Sequence, residues 1–211
     1  MELVNNISIN AHSSIRIEGT MIMYFDPYIV EEEKHDADLI FFTHSHHDHL
    51  SPDDFRKYEK EDTLFIAPLS CKDDVEKAGI KEQNAIFMEP GDSIFINDIE
   101  IEAVHSYNIG KPMHKKEYNW LGYIVTVDEK KVYVCGDMDI TPEAENVKCD
   151  ILMAPCGGTY TMNAEEAAQL ANTIKPSIAI PTHYGSIVGD KSCGEIFKKN
   201  VYENIEVVFK L

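Results

Sequence analysis

The sequence predicts an α+β protein built as a four-layer αββα sandwich, two β-sheets packed face to face with helices outside. Three observations lead there. The 211 residues suit one domain spanning 1–211 and suffice for a sizeable buried core. Short apolar or alternating runs of strand character recur along the whole chain. The runs also follow a weak two-half design, β-rich with short helices and then β-rich with longer ones. No internal repeat and no low-complexity tract points to a solenoid or an array instead.

Residues 2–9, 13–18 and 20–25 are short, β-branched or alternating, and read as an antiparallel opening of a sheet. That opening stops at Asp26-Pro27, where proline ends regular pairing. Residues 31–37 are acidic and polar and form a surface link. Leu39-Ile40-Phe41-Phe42 marks a buried strand over 38–43, after which Ser51 or Asp53 caps a helix through about residue 59. Leu64–Ala67 is a strand ending at Pro68, and Ser70 caps a helix that ends near Gly79. Ala85–Met88 is a strand followed by the turn Pro90-Gly91-Asp92. Ser93–Ile96 and Ile99–Val104 then flank Asn97-Asp98 as a hairpin.

A second hairpin joins 119–127 to 131–135, turning at Glu129-Lys130. Asp150–Pro155 is a strand that opens into Gly157-Gly158, and paired glycines let a backbone pass close to a neighbour. Asn163 and Glu166 have capping-box spacing for a helix to about Lys175, with Ala164, Ala167, Ala168 and Ala171 as a slim packing face. The strand Ser177–Ile180, a helix near Gly194–Asn200 and the strand Ile205–Phe209 close the chain.

Composition narrows the function classes. Hydrophobic residues at 44% and charged residues at 27% are ordinary for a globular chain. The formal charge of −18 is not. It argues against an electrostatic grip on nucleic acid or anionic lipid, and leaves a small-molecule substrate to local donors. The five cysteines are odd in number and form no Cys-x-x-Cys, which fits reduced thiols in the cytoplasm. No apolar run approaches the ~20 residues of a membrane span, and no signal peptide is evident.

The chemistry concentrates in Thr43-His-Ser-His-His-Asp-His-Leu50, which holds four of the nine histidines. Imidazoles and carboxylates are ligands for zinc and neighbouring first-row metals, manganese and iron included. His44 and His46 can share one ion if the backbone between them is extended, while Asp48 and His49 reach a second. A solvated histidine-rich loop is the bland alternative, but the apolar strand ahead of the cluster argues against it. Asp26 is either an ordinary turn aspartate or a group that orients a ligand histidine.

His44-x-His46-x-Asp48-His49 resembles the signature of the metallo-β-lactamase-fold hydrolases. Gly136-Asp137 resembles that family's bridging aspartate, Pro181-Thr182-His183-Tyr184-Gly185 its final histidine motif, and Phe25-Asp26-Pro27 its early aspartate. The likeness covers nearly the whole chain in order, and is greatest to the compact branch containing ascorbate-phosphate lactonase and N-acyl-phosphatidylethanolamine phospholipase D-type hydrolases.

The resemblance implies the metallo-β-lactamase fold and two divalent ions, zinc expected and manganese or iron the alternatives. His44, His46 and either His105 or His114 would hold the first ion. Asp48, His49 and His183 would hold the second, with Asp137 as the bridge. Aligned by Tyr107, the family's usual third histidine falls on Asn108, a poor ligand, so His105 and His114 both stay open with a slight lean to His114. Asp26 and Asp139 would give support, and Tyr160 or Tyr184 a hydrogen bond to the substrate. The implied reaction is attack by a metal-bridging hydroxide on an ester, lactone or phosphodiester of a small substrate, with Asp48 and Asp137 as the catalytic carboxylates. Iron-binding redox relatives carry a glutamate where His46 stands. A non-catalytic metal sensor or interaction domain is the alternative from another class.

Overall fold

Outer strands such as Ile15–Glu18 and Ile99–His105 alternate apolar and polar residues, while central ones such as Leu39–Phe41 and Ile151–Pro155 are apolar and buried throughout. In a computed structural model describing residues 3–211, that pattern produces two sheets with three apolar layers between and outside them. The first sheet has the order β1-β2-β3-β4-β5-β6, with β1 Ile7–Ile9, β2 Ile15–Glu18, β3 Ile22–Phe25, β4 Leu39–Phe41, β5 Leu64–Pro68 and β6 Ala85–Met88. The second has the order β13-β12-β11-β10-β9-β8-β7. Its strands are β7 Ser93–Ile96, β8 Ile99–His105, β9 Leu121–Val127, β10 Lys130–Val134, β11 Ile151–Pro155, β12 Ile178–Thr182 and β13 Glu206–Val207.

Both sheets follow one plan: antiparallel pairs first, parallel pairs after. Pairing is antiparallel from β1 to β3 and parallel from β3 to β6. It is antiparallel from β7 to β10 and parallel from β10 to β13. The helices follow the two-half design expected from the sequence, short in the first half and with the longer ones in the second, and the fold is the αββα sandwich.

Side chains two apart share a face. Phe25, Leu39, Phe41 and Ile66 therefore meet Ile101, Tyr123, Val125, Val134 and Met153 between the sheets. Tyr24, Ile40, Phe42 and Phe65 point the other way, under the helices α1 Pro52–Phe55 and α2 Lys72–Lys77. Tyr133, Leu152 and Ala154 point outward from the second sheet, toward α3 Pro142–Glu145, α4 Ala164–Ile174 and α5 Ser192–Asn200. Helix α4 has the expected capping box at Asn163 and Glu166, and its four named alanines are all buried. The Tyr123 hydroxyl donates to the Phe42 carbonyl at 2.8 Å, a buried bond that ties the two sheets near one edge.

Several element boundaries differ from the sequence reading. Of the strand expected over 2–9, Glu2 lies outside the described residues, Leu3–Asn6 form a 3-10 turn, and only Ile7–Ile9 pair. The helix expected to reach residue 59 is the single turn Pro52–Phe55, and neither Ser51 nor Asp53 caps it through a side chain. Beyond it the carbonyls of Lys57 and Tyr58 accept from the amides of Lys34, His35 and Ala37, which ties the link over 31–37 to the end of this turn. Ser70 lies inside a 3-10 turn, and Cys71 precedes α2 without a side-chain cap. The second hairpin turns one residue early, at Asp128-Glu129, both with positive φ (49° and 62°), as a two-residue hairpin turn requires. The last strand contracts to Glu206–Val207.

Phe41 is fully buried, stacks on Phe25 at 4.3 Å and meets Tyr123 edge-on at 5.2 Å. Phe41→Ala is expected to lower unfolding free energy by about 3–5 kcal/mol in urea titrations. Phe95→Ala, at a side chain 69% exposed on β7, should change it by less than about 0.5 kcal/mol.

Candidate metal centre

The chain ends that leave the sheets on one edge carry the polar groups. Asp26 follows β3, residues 43–49 follow β4, Asp137 follows β10 and His183 follows β12. All four leave from parallel or parallel-adjacent strands, where the next segment must cross over and the turn is free to hold side chains. The Leu121 amide donates to the Thr43 carbonyl at 3.0 Å, which joins the two sheets beside the cluster.

Asp26 is fully buried with φ of 45°, and its carboxylate is fixed from three directions. The Thr43 amide donates to Oδ1 at 2.8 Å, the Thr43 hydroxyl to Oδ2 at 2.7 Å, and Oδ2 lies 2.7 Å from His49 Nδ1. A carboxylate accepts only, so His49 carries its proton on Nδ1. With Nδ1 committed to Asp26, His49 presents Nε2 to the cluster. Asp26 therefore orients a histidine, and the ordinary-turn alternative does not describe it.

Two donor sets stand side by side. His44, His46 and His114 form the first, with ring centroids 4.7, 4.9 and 5.1 Å apart. Asp48, His49 and His183 form the second, together with His12, their donor atoms all within 4.8 Å of one another. Asp137 lies between the sets. Its Oδ2 is 3.1 Å from His183 Nε2 and 3.4 Å from His114 Nε2, and its Oδ1 is 3.5 Å from His49 Nε2. The Trp120 indole packs on His44, His46 and His114 and walls the first set.

The donor chemistry fits cations. Among the described residues, no hydrogen-bond partner satisfies the buried Nε2 atoms of His12, His49, His114 and His183 or Oδ1 of Asp137. The contacts above are close but not aligned as hydrogen bonds. Atoms about 2.0–2.2 Å from a shared ion stand about 3.3 Å from each other, which is the spacing seen. Burial, then the neighbouring His49, pushes His44 well below the usual imidazole range. Burial likewise lowers His46 and brings His114 to about 4. These rings are neutral and able to donate lone pairs. Burial also opposes charge on His49, but the Asp137 and Asp26 carboxylates outweigh it and raise its pKa well above normal. Burial works against the Asp137 carboxylate, yet His183 and His49 hold it ionised. A buried carboxylate cluster of this kind calls for positive charge at its centre.

Other residues singled out in the sequence fall elsewhere. His105 joins neither set: its Nε2 lies 2.9 Å from the Lys116 carbonyl, in an open groove of ≈ 630 Å³ on another face. In that groove Lys131 pairs with Glu102, and Glu143 pairs with Lys116 beside it. Asp139 accepts from the Ile109 amide at 2.9 Å and pairs with Lys111, whose ammonium also donates to the Thr161 carbonyl at 2.7 Å. It thus anchors the loop bearing His114. Tyr184 is buried among the residues under α4 and α5, away from the cavity. Tyr160 is 41% exposed and lines a cavity of ≈ 250 Å³ whose floor is the metal-type cluster. Met113, Ile187 and Val188 supply the rest of its apolar wall. Gly157 does allow a close approach, since a Cβ there would lie 2.2 Å from the His183 carbonyl. Sequence reading missed His12, an isolated histidine in the turn between β1 and β2 with no second ligand type nearby.

Comparison with known proteins agrees with this geometry. Residues 6–183 match the β-lactamase superfamily domain. The chain is 32% identical to a UPF0173 metal-dependent hydrolase of Methanosphaera stadtmanae, over 92% of this chain and 90% of that one. It is 29% identical to another of that description from Pyrococcus horikoshii, over 93% and 92%. The crystal structure of a proposed metal-dependent hydrolase from Parabacteroides distasonis superposes with TM-score 0.81 at 29% identity, covering 97% and 92% of the chains. A metallo hydrolase from Ignicoccus hospitalis, 19% identical, shares the fold with TM-score 0.78, covering 96% and 93%. These relatives are hydrolases, which speaks against the non-catalytic alternative. A matching domain over most of the chain, full-length hydrolase relatives and a buried His/Asp cluster able to bind metal lead to one conclusion: the chain belongs to the metallo-β-lactamase superfamily and is a metal-dependent hydrolase.

Proposed function

We propose that the two donor sets hold a pair of divalent ions, zinc foremost with manganese or iron as alternatives, and that the protein hydrolyses an ester or lactone bond of a small uncharged substrate in the cytoplasm. The position of Asp137 carries this reading, because it reaches donors of both sets at once. When bound, such ions would acidify a water toward neutral pH and polarise the substrate oxygen.

The chain's own residues do the rest. His44, His46 and His114 would hold the first ion and Asp48, His49 and His183 the second, with Asp137 within reach of both sets. Asp26 keeps His49 in the tautomer that donates from Nε2. Asp48 borders the cavity, and its pKa is depressed: burial opposes ionisation, but the neighbouring His12 imidazole and the charge of His49 prevail. Its carboxylate therefore stays ionised at the cavity border, available as a ligand for the second ion. Tyr160, at the cavity wall, is placed to contact the substrate.

The lining supports the bond class. Among the described residues, no lysine or arginine lines this cavity, while Met113, Tyr160, Ile187 and Val188 do. The net charge of −18 also repels anions. An uncharged acyl compound with an apolar flank fits such a wall better than a phosphodiester.

Purified protein supplied with zinc or manganese should therefore turn over p-nitrophenyl esters or small lactones, lose activity to a chelator and regain it on metal addition. Turnover of bis-p-nitrophenyl phosphate alone would overturn the bond class, and metal-dependent turnover of none would overturn the catalytic reading. Asp137→Asn should lower kcat/KM by more than about 100-fold, the upper end of what losing an outer support costs. Asp26→Asn should cost about 10–100-fold in metal affinity in titrations against a chromophoric chelator, because His49 loses its tautomer lock.

A further inference from the structure

His12 touches the second donor set from the opposite end of the chain. It sits in the turn between β1 and β2, fully buried, with φ of 55°. Its carbonyl accepts from the His183 amide at 2.9 Å. Its ring lies on the His183 ring with centroids 3.6 Å apart. Its Nε2 is 3.4 Å from Asp48 Oδ2, and its Nδ1 is 3.2 Å from the Ser186 hydroxyl. Two of the three proposed donors to the second ion thus rest against one side chain that no motif includes.

Two roles fit a buried imidazole here, a further ligand or a support, and ring spacing decides between them. Imidazoles aimed at one ion through nitrogens about 2.0–2.1 Å from it stand with centroids about 5 Å apart. The three rings of the first set do so, at 4.7 to 5.1 Å, and His49 and His183 are 5.7 Å apart. His12 and His183 at 3.6 Å are in face contact, too close for both to radiate from one centre. The remaining function of Nε2 is donation to Asp48. With the Ser186 hydroxyl donating to Nδ1, the neutral ring keeps its proton on Nε2 and faces the Asp48 carboxylate. At 3.4 Å that approach is longer than a full hydrogen bond, and a small turn of Asp48 closes it.

We infer that His12 is a positioning residue of the second site: its ring backs the His183 imidazole, its carbonyl holds the His183 amide, and its Nε2–H sets the Asp48 carboxylate. The inference rests on the reading that Asp48, His49 and His183 hold an ion. His183 is then clamped from both sides. His12 fixes its amide and ring, while Gly157 leaves room for its carbonyl. Because the β1–β2 turn belongs to the first sheet and His183 to the second, the clamp also couples the site to the seam between sheets.

The test uses the full chain and three variants. His12→Gln keeps an N–H donor without the ring, His12→Phe keeps a ring face without the donor, and His12→Ala keeps neither. Zinc affinity is measured for each equivalent by chelator competition, and cobalt(II) spectra report coordination. Thermal melts check folding. Expected is a loss of about 10–100-fold for the second equivalent in His12→Ala, with the first unchanged. Partial recovery is expected in both His12→Gln and His12→Phe, with cobalt band intensities as in the parent. If His12→Ala does not fold, the other two are compared with the parent, and a loss confined to the second equivalent supports the inference. Unchanged affinity in the variants that fold, equal loss of both equivalents, or a cobalt spectrum showing one ligand fewer would each overturn it. A parent protein that binds fewer than two equivalents would instead remove the two-ion reading, and the inference with it.

Discussion

Asp137 is a carboxylate nearly closed to solvent, at the seam where two sheets meet, and three imidazole nitrogens converge on it. A buried charge of that kind persists only with compensation of opposite sign and fixed geometry. Most of what surrounds it follows from that demand. Asp26 adds a second buried carboxylate behind His49, and Thr43 satisfies both of its oxygens. The outcome is an arrangement in which the inward Nε2 atoms of His49, His114 and His183 make no hydrogen bond among the described residues. The protein gives up hydrogen bonds at the centre and gains a rigid set of donors there.

The sandwich explains how residues from 12 to 183 come to one place. Each sheet begins antiparallel and continues parallel, so each half presents crossover loops at one edge. Stacking the halves face to face brings the two sets of loops together, and the apolar layer between the sheets holds their spacing. The bonds from Leu121 to Thr43, from Tyr123 to Phe42 and from His183 to His12 cross from one sheet's chain to the other's beside the cluster. Loss of packing between the sheets would therefore be felt at the site, and the two are one structural problem. The cavity above the cluster is shaped by separate loops carrying Met113, Tyr160 and Ile187.

Legibility of the chain follows the range of the interaction. The strands were readable because period-two alternation is local, and the capping box of α4 because it spans four residues. The cluster at 43–50 was readable because several ligand types fall within eight residues. What depends on contacts between distant segments was not. The helix after Pro52 is one turn long, and the link over 31–37 packs on the carbonyls of Lys57 and Tyr58 just beyond it, a contact between segments distant in the sequence. Nothing in the local sequence separates His105 from His114. The difference is a loop pinned by Asp139 and Lys111, which turns one histidine inward and leaves the other on Lys116. Tyr184 follows His183 directly yet packs under the helices, because adjacent residues leave a strand end on opposite faces. His12 had no neighbour of its own kind to mark it.

The central claim is that chain segments far apart build two adjoining cation sites sharing Asp137. Anomalous-difference diffraction from crystals grown with zinc, recorded on both sides of its absorption edge, tests it most directly. The account predicts two peaks, one enclosed by His44, His46 and His114 and the other by Asp48, His49 and His183, with the Asp137 carboxylate between them. Data showing no ordered peak at this cluster, or a single ion that leaves one set of donors unengaged, would contradict it.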